Sequence, residues 1–152
     1  MKKISLLLMA LAMVFYSCKK DENLSPEDQL TKDIELIEQY LSDHDLVAES
    51  TSSGLHYIIE TPGIGEHPTT NSTVTVQYKG YLLNGNEFES ATVTFPLANV
   101  IQGWVEGIPK FKKLGRGKLF IPSGLGYGPP GSSNIAPNTV LIFDIHLISF
   151  TN

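Results

Sequence analysis

The chain has 152 residues, of which 41% are hydrophobic and 18% are charged. This length and balance predict one globular domain with short appendages and exclude two independent cores. The formal net charge is −5, which gives nucleic-acid binding no electrostatic basis. Because Cys18 is the one cysteine in the sequence, a disulfide within the chain and a thiolate metal cluster are both excluded.

The N-terminal residues 1–17 have the pattern of a signal peptide. Lys2 and Lys3 precede an apolar run over residues 4–16, which is too short to span a bilayer as a mature helix. Cys18 follows directly and resembles the lipid-accepting cysteine of a bacterial lipoprotein. We expect lipid attachment at Cys18, with an ordinary signal peptide cut nearby as the alternative.

Residues 18–25 are then expected to form a lipidated tether. The charged stretch 19–22 reads KKDE and resembles signals that send some lipoproteins to the outer face of the outer membrane. The alternative is a solvated tether without a sorting role. The predicted location is the bacterial cell envelope, lipid-anchored and at the outer membrane.

Residues 26–48 are predicted to form an amphipathic helix. Ser25 can accept a hydrogen bond from the Asp28 amide, and Pro26 suits the first turn. The charged positions, Asp33 among them, are expected to face solvent. The apolar stripe consists of Leu30, Ile34, Ile37 and Leu41, and such a stripe must pack against another surface. We expect it to dock on the chain's own domain, with pairing to a second copy in a homodimer as the alternative.

Residues 54–152 are predicted to form the compact domain, which is mostly β with one helix. Asn84-Gly85 is a hairpin turn signal, and Asn99 can cap a short helix from Val100 to about Phe111. Alternating apolar residues in the last strand indicate a half-buried sheet with the helix on its buried face. The predicted strands are residues 55–59, 74–78, 87–88, 93–95, 118–121 and 140–150.

Four motifs between residues 74 and 150 occur in a definite order. They are VQYKGYLLNG at 76–85 with FES at 88–90, VIQGW at 100–104, GLGYG at 124–128, and LIFDIHL at 141–147. Together they resemble the FKBP family of peptidyl-prolyl cis-trans isomerases. The resemblance implies an α+β fold, in which a twisted antiparallel sheet of about five to six strands wraps around one short helix, and it implies no cofactor.

The resemblance also implies an apolar cup that takes the proline ring of a polypeptide substrate, with Trp104 as its floor. The Ile101 amide and the Tyr127 hydroxyl are the implied donors to the substrate. The catalytic positions that match the family are Tyr78, Phe88, Glu89, Trp104, Tyr127 and Phe143. The matching substrate-binding positions are Val93, Val100, Ile101 and Ile135.

Two of these positions depart from the family pattern. Glu89 stands where the family usually has aspartate, and Val93 stands where an aromatic residue is frequent. Both departures leave open a second hypothesis, a proline-peptide-binding chaperone with little turnover. A surface lipoprotein that binds another partner is a third. The four histidines are scattered without paired ligand spacing, so no metal site is expected.

Overall fold

The computed structural model describes residues 24–152. The predicted signal peptide, Cys18 and most of the predicted tether lie outside these residues. The described elements are α1 (Pro26–Asp43), β1 (Glu49–Ser50), β2 (His56–Thr61), β3 (Thr73–Leu82), β4 (Glu87–Pro96), α2 (Gln102–Gly107), β5 (Arg116–Ile121) and β6 (Leu141–Thr151). Three 3-10 turns lie at Leu97–Asn99, Ile108–Lys110 and Ser123–Leu125.

The described strands form one six-stranded antiparallel sheet in the order β1-β2-β5-β6-β3-β4, which confirms the predicted α+β class. β3 pairs along its length with β4 on one side and β6 on the other. The hairpin between β3 and β4 turns at Asn84-Gly85, where Gly85 adopts φ 83° and its amide donates to the Leu82 carbonyl at 2.8 Å. The runs predicted separately at 87–88 and 93–95 belong to the single strand β4.

The sheet is covered on both faces because successive side chains of a strand point to opposite sides. On β5, Leu119 and Ile121 pack towards α2 while Phe120 packs towards α1. The inner layer, between the sheet and α2, includes Trp104, Ile108, Leu119, Ile121, Phe143 and Leu147. The outer layer, between the sheet and α1, consists of Ile37, Leu41, Phe120, Val140 and Ile142.

α1 begins as its sequence predicts, since the Asp28 amide donates to the Ser25 side chain at 3.1 Å. It ends at Asp43 rather than at residue 48. Asp45 takes a left-handed backbone with φ 52°, which is incompatible with continuing the helix. The chain beyond it enters β1.

Asp33 does not face solvent, and that expectation is wrong. The side chain is fully buried on the docked side of α1. Its carboxylate accepts hydrogen bonds from the amide and the hydroxyl of Ser123, at 2.7 and 2.6 Å. From the local sequence pattern a charged residue is expected to be exposed to solvent. Hydrogen bonds to Ser123, which is distant in the chain, allow Asp33 to be buried.

α2 is shorter than the predicted helix over residues 100–111. Its α-helical turns run over Gln102–Gly107, and the 3-10 turn Ile108–Lys110 continues it. Pro109 has no N–H to donate to the carbonyl four residues earlier, which favours the change of helix type. Asn99 does not cap this helix, because the residue at the cap position is Ile101 and makes no side-chain cap.

Among residues 24–152, no helix is long and apolar enough to cross a membrane.

Docking of α1 predicts that truncating two neighbouring residues lowers the free energy of unfolding by very different amounts. Ile37 is 0% exposed in the outer layer, whereas Leu36 is 42% exposed. Ile37→Ala is expected to lower the free energy of unfolding by about 2–5 kcal/mol, as truncation of a buried aliphatic side chain does. Leu36→Ala is expected to change it by less than about 0.5 kcal/mol. Urea denaturation measures both, and equal effects would contradict docking.

Candidate functional site

A cup of about 510 Å³ opens on the α2 side of the sheet. Its walls come from β3, β4 and β6, from the start of α2 and the segment before it, and from the loop after β5. The lining residues are Tyr78, Glu89, Val93, Phe95, Asn99, Val100, Ile101, Trp104, Tyr127 and Phe143. A volume of this size lies within the usual range of ligand-binding clefts, roughly 300–1,000 Å³.

Trp104 is the centre of the aromatic contacts in the cup. Its ring lies edge-on to Tyr78 at 4.9 Å and to Phe143 at 5.1 Å, and it contacts Phe95 at 5.4 Å. Edge-to-face geometry is favourable for aromatic pairs, so the rings hold one another in place. The Trp104 indole N–H is buried and has no acceptor within residues 24–152.

Eight of the ten cup positions expected from the sequence lie together around this cavity. Phe88 and Ile135 do not line it. Phe88 stands behind the wall, edge-on to Phe143 at 5.6 Å. Ile135 is buried in the inner layer, where its carbonyl accepts from the Ser132 amide at 2.9 Å.

Two further lining residues, Phe95 and Asn99, were not among the expected site positions. Phe95 follows Val93 by two residues on β4, so the period of a strand puts both side chains on one face. This two-residue period could have predicted Phe95 as a further lining residue. Asn99 ends the 3-10 turn Leu97–Asn99, and its sequence context indicated a helix cap instead.

Gly80 allows the aromatic wall to close over β3. A Cβ atom at this position would lie 2.6 Å from the ring of Phe88 and 2.8 Å from the ring of Phe143. A side chain here would force the two rings to shift, so glycine suits the position at which both rings pack against the strand.

Hydroxyl groups and one carboxylate give the cup its polar side. The Tyr78 hydroxyl belongs to a residue that lines the cup together with Glu89. Burial, together with the hydrogen-bonding influence and the charge of the Glu89 carboxylate, raises the pKa of Tyr78 to about 12. Burial and the same charge also raise the pKa of Tyr127. Both hydroxyls are therefore protonated donors at neutral pH.

These groups suit binding and orientation better than proton transfer. A general acid or base works best with a pKa near the operating pH, and both tyrosines are shifted away from it. Among residues 24–152, no cluster of histidine, aspartate and glutamate side chains could hold a metal ion. The cup is an apolar receptor with hydrogen-bond donors on one side.

The pKa of Tyr78 generates a test of this arrangement. In Glu89→Gln the pKa of Tyr78 is expected to fall, because the charge is lost, but to stay above 10.0, because burial is the larger cause. An NMR titration of tyrosine labelled at the Cζ carbon measures it, with Tyr78→Phe assigning the signal. An unchanged pKa in Glu89→Gln would contradict the influence of Glu89 on Tyr78.

The raised pKa of Tyr78 also makes the free energy of unfolding depend on pH. The folded pKa of about 12 lies above the unfolded value of 10.0, so the folded state retains the proton when the unfolded state has lost it. The stability that Tyr78 contributes is complete below pH 10 and is lost as the pH rises towards 12. Tyr78→Phe is expected to flatten this part of the pH profile of unfolding.

Comparison with known proteins identifies the family. The family model described as FKBP-type peptidyl-prolyl cis-trans isomerase matches residues 65–148, which is more than half of the chain. The chain is 48% identical over 108 residues to FkpA of Buchnera aphidicola subsp. Schizaphis graminum, covering 67% of this chain and 43% of that protein. It is 42% identical over 105 residues to FkpA of Escherichia coli K12, covering 66% and 39%. The match thus spans about two fifths of these relatives' length.

Solved structures agree with these sequence matches. The crystal structure of FkpA from Escherichia coli superposes with a TM-score of 0.73 at 37% identity, covering 82% of this chain and 60% of that one. A peptidyl-prolyl cis-trans isomerase from Pseudomonas syringae pv. tomato gives 0.70 at 27% identity, covering 86% and 99%. The chain therefore belongs to the FKBP-type peptidyl-prolyl cis-trans isomerase family.

Proposed function

We propose that this chain is a peptidyl-prolyl cis-trans isomerase that binds proline-containing polypeptides and accelerates rotation about their X-Pro bonds without a covalent step. The observation that carries the proposal is the aromatic cup around Trp104, with Tyr127 on its wall. A proline ring is small, apolar and rigid, so its surface suits the aromatic walls, and the cup has room for the residues on either side of the proline as well.

The reaction requires loss of amide resonance rather than a nucleophile. Rotation about a peptide bond crosses a barrier of about 18–20 kcal/mol, and that barrier arises from the partial double bond. In the twisted transition state the carbonyl dipole is smaller than in the planar amide. An apolar cup that removes water from the amide therefore disfavours the planar ground state more than the transition state.

Donors on the cup wall would hold the substrate carbonyl while the bond rotates. Tyr127 is 36% exposed, so its hydroxyl is within reach of a ligand, and its raised pKa keeps the proton on the oxygen. Ile101 lines the cup just before α2, and its carbonyl already accepts from the Trp104 and Val105 amides. We assign the Ile101 amide as the second donor to the substrate.

Glu89 would act through Tyr78 rather than on the substrate proton. After burial, the Glu89 carboxylate is the main cause of the raised pKa of Tyr78, and the Tyr78 ring is edge-on to Trp104. Glutamate thus still influences Tyr78 electrostatically, although the family usually has aspartate here. This influence supports an active cup.

Binding with little turnover is the second candidate. Val93 lines the cup and is 43% exposed, so this wall is thin and open. A wider mouth favours loose binding of proline-containing segments over tight restraint of one twisted bond. The two functions differ in turnover, which can be measured directly.

A protease-coupled assay on a short proline peptide tests turnover. The full chain is expected to accelerate isomerisation. Tyr127→Phe is expected to reduce kcat/KM about three- to tenfold, the effect of losing one hydrogen bond to the substrate. Val47→Ala, at a surface residue that is 90% exposed, serves as the matched control and should retain the wild-type value. Background rates for wild type, combined with measurable peptide binding, would support the binding module instead.

We further propose that exported or envelope proteins are the substrates and that Cys18 anchors the chain by a lipid. The support is the sequence alone, with two lysines, a short apolar run and a cysteine at its end. One acyl chain binds a membrane only weakly, so stable anchoring requires more than one. The proposed location is the outer membrane of a bacterial envelope.

Mass spectrometry of the mature protein from bacterial membranes tests the anchor. The expected N-terminal residue is Cys18 with attached acyl chains, and Cys18→Ser should give a protein without this modification. A mature N-terminus elsewhere, or an unmodified Cys18, would contradict lipidation. The isomerase proposal is unaffected by either result, because the cup lies within the described residues.

A further inference from the structure

Asp33 is a buried carboxylate that the proposed chemistry does not use. It is 0% exposed and lies on α1, outside the part of the chain that the family model matches. One carboxylate oxygen accepts from the Ser123 amide at 2.7 Å and from the Ser123 hydroxyl at 2.6 Å. The other accepts from the Gln29 side-chain amide at 2.7 Å. Such burial is tolerated only when the carboxylate is well hydrogen-bonded.

Ser123 connects this carboxylate to the cup. Its carbonyl accepts from the Gly126 amide at 3.0 Å and from the Gly128 amide at 2.9 Å. These two glycines flank Tyr127, whose side chain lines the cup. Hydrogen bonds therefore run without a break from α1 through both peptide groups of Ser123 to the residues on either side of Tyr127.

The loop needs such anchors because its sequence is permissive. Residues 124–128 read GLGYG, and glycine loses more backbone freedom on folding than any other residue. Gly128 takes a left-handed backbone with φ 58°, and its carbonyl accepts from the Asn138 amide at 2.9 Å. The loop is thus tied on its far side by Asn138 and on its near side, through Ser123, by Asp33.

We propose that Asp33 is a positioning residue, which acts through Ser123 to hold Tyr127 in the orientation that donates to the substrate. This inference rests on the function proposed above for the cup. It makes α1 a working part of the site, although the helix packs on the opposite face of the sheet from the cup. The sequence predicts α1 only as an amphipathic helix that docks on the domain. In this proposal α1 also contributes to the rate of isomerisation.

A double-mutant cycle on the full chain tests the proposal. Asp33→Ala leaves the Ser123 amide and hydroxyl without their acceptor. It is expected to reduce kcat/KM about three- to tenfold, which is the effect of Tyr127→Phe, since the same substrate hydrogen bond is lost. In the Tyr127→Phe background, Asp33→Ala should have no further effect. Equal reductions in both backgrounds would overturn the proposal.

Two further variants separate positioning from general destabilisation. Asp33→Asn retains an acceptor oxygen and should recover at least half of the wild-type kcat/KM. Leu41→Ala weakens the packing of α1 in the outer layer without touching Ser123. It should lower stability while kcat/KM stays within about twofold of wild type. A loss of kcat/KM in Leu41→Ala as large as that in Asp33→Ala would also overturn the proposal.

Amide hydrogen exchange keeps the test independent of turnover. In Asp33→Ala, the Ser123, Gly126 and Gly128 amides should exchange at least about tenfold faster than in wild type, with the ladder amides of β3 as the reference. Unchanged exchange at these three amides overturns the positioning role whether or not the chain is an isomerase. Faster exchange with no turnover in wild type would leave the anchor in place and reject the isomerase function.

Discussion

The edge-to-face contact between Trp104 and Phe143 joins α2 to the sheet, and the cup depends on it. Phe143 lies on β6, which pairs with β5 on one side and with β3 on the other at the centre of the sheet. Trp104 belongs to the short helix that covers this face. The same ring pair thus closes the inner layer and forms the floor and one wall of the cavity, so stability and binding use one set of contacts.

The outer face of the sheet has a separate role. α1 packs there on Phe120, Val140 and Ile142, and it would be a simple cover if Asp33 were exposed. The buried carboxylate instead links the helix to the turn that begins the Tyr127 loop. Hydrogen bonds just beyond the end of β5 thus couple two layers that share no apolar cluster.

The electrostatics of the cup depends on a small number of groups. Burial raises the pKa of both Tyr78 and Tyr127, and the charge of Glu89 adds to each shift. Tyrosine is protonated at neutral pH even at its ordinary pKa of 10.0, and these shifts extend that protonation to more alkaline pH. This protonation is consistent with the proposed role of Tyr127, which is to donate to a carbonyl rather than to transfer a proton.

The sequence by itself determined the elements that depend on local pattern. Strand alternation, the Asn84-Gly85 turn and the Ser25 cap follow from backbone geometry and nearest neighbours, and all three are confirmed. The order of the motifs also predicted most of the residues that line the cup, because each motif position corresponds to a place in the family's fold. Phe95 could have been added from strand period alone.

Only the tertiary structure decided the features that arise from distant contacts. Asp33 and Ser123 are 90 positions apart in the chain, and no local pattern indicates that such a charge is buried. Phe88 and Ile135 carry the expected residue types, yet packing behind Phe143 and within the inner layer keeps them off the cavity. The apolar character of a residue predicts that it is buried. Whether its side chain faces the cavity or packs behind the cavity wall depends on its neighbours in the tertiary structure.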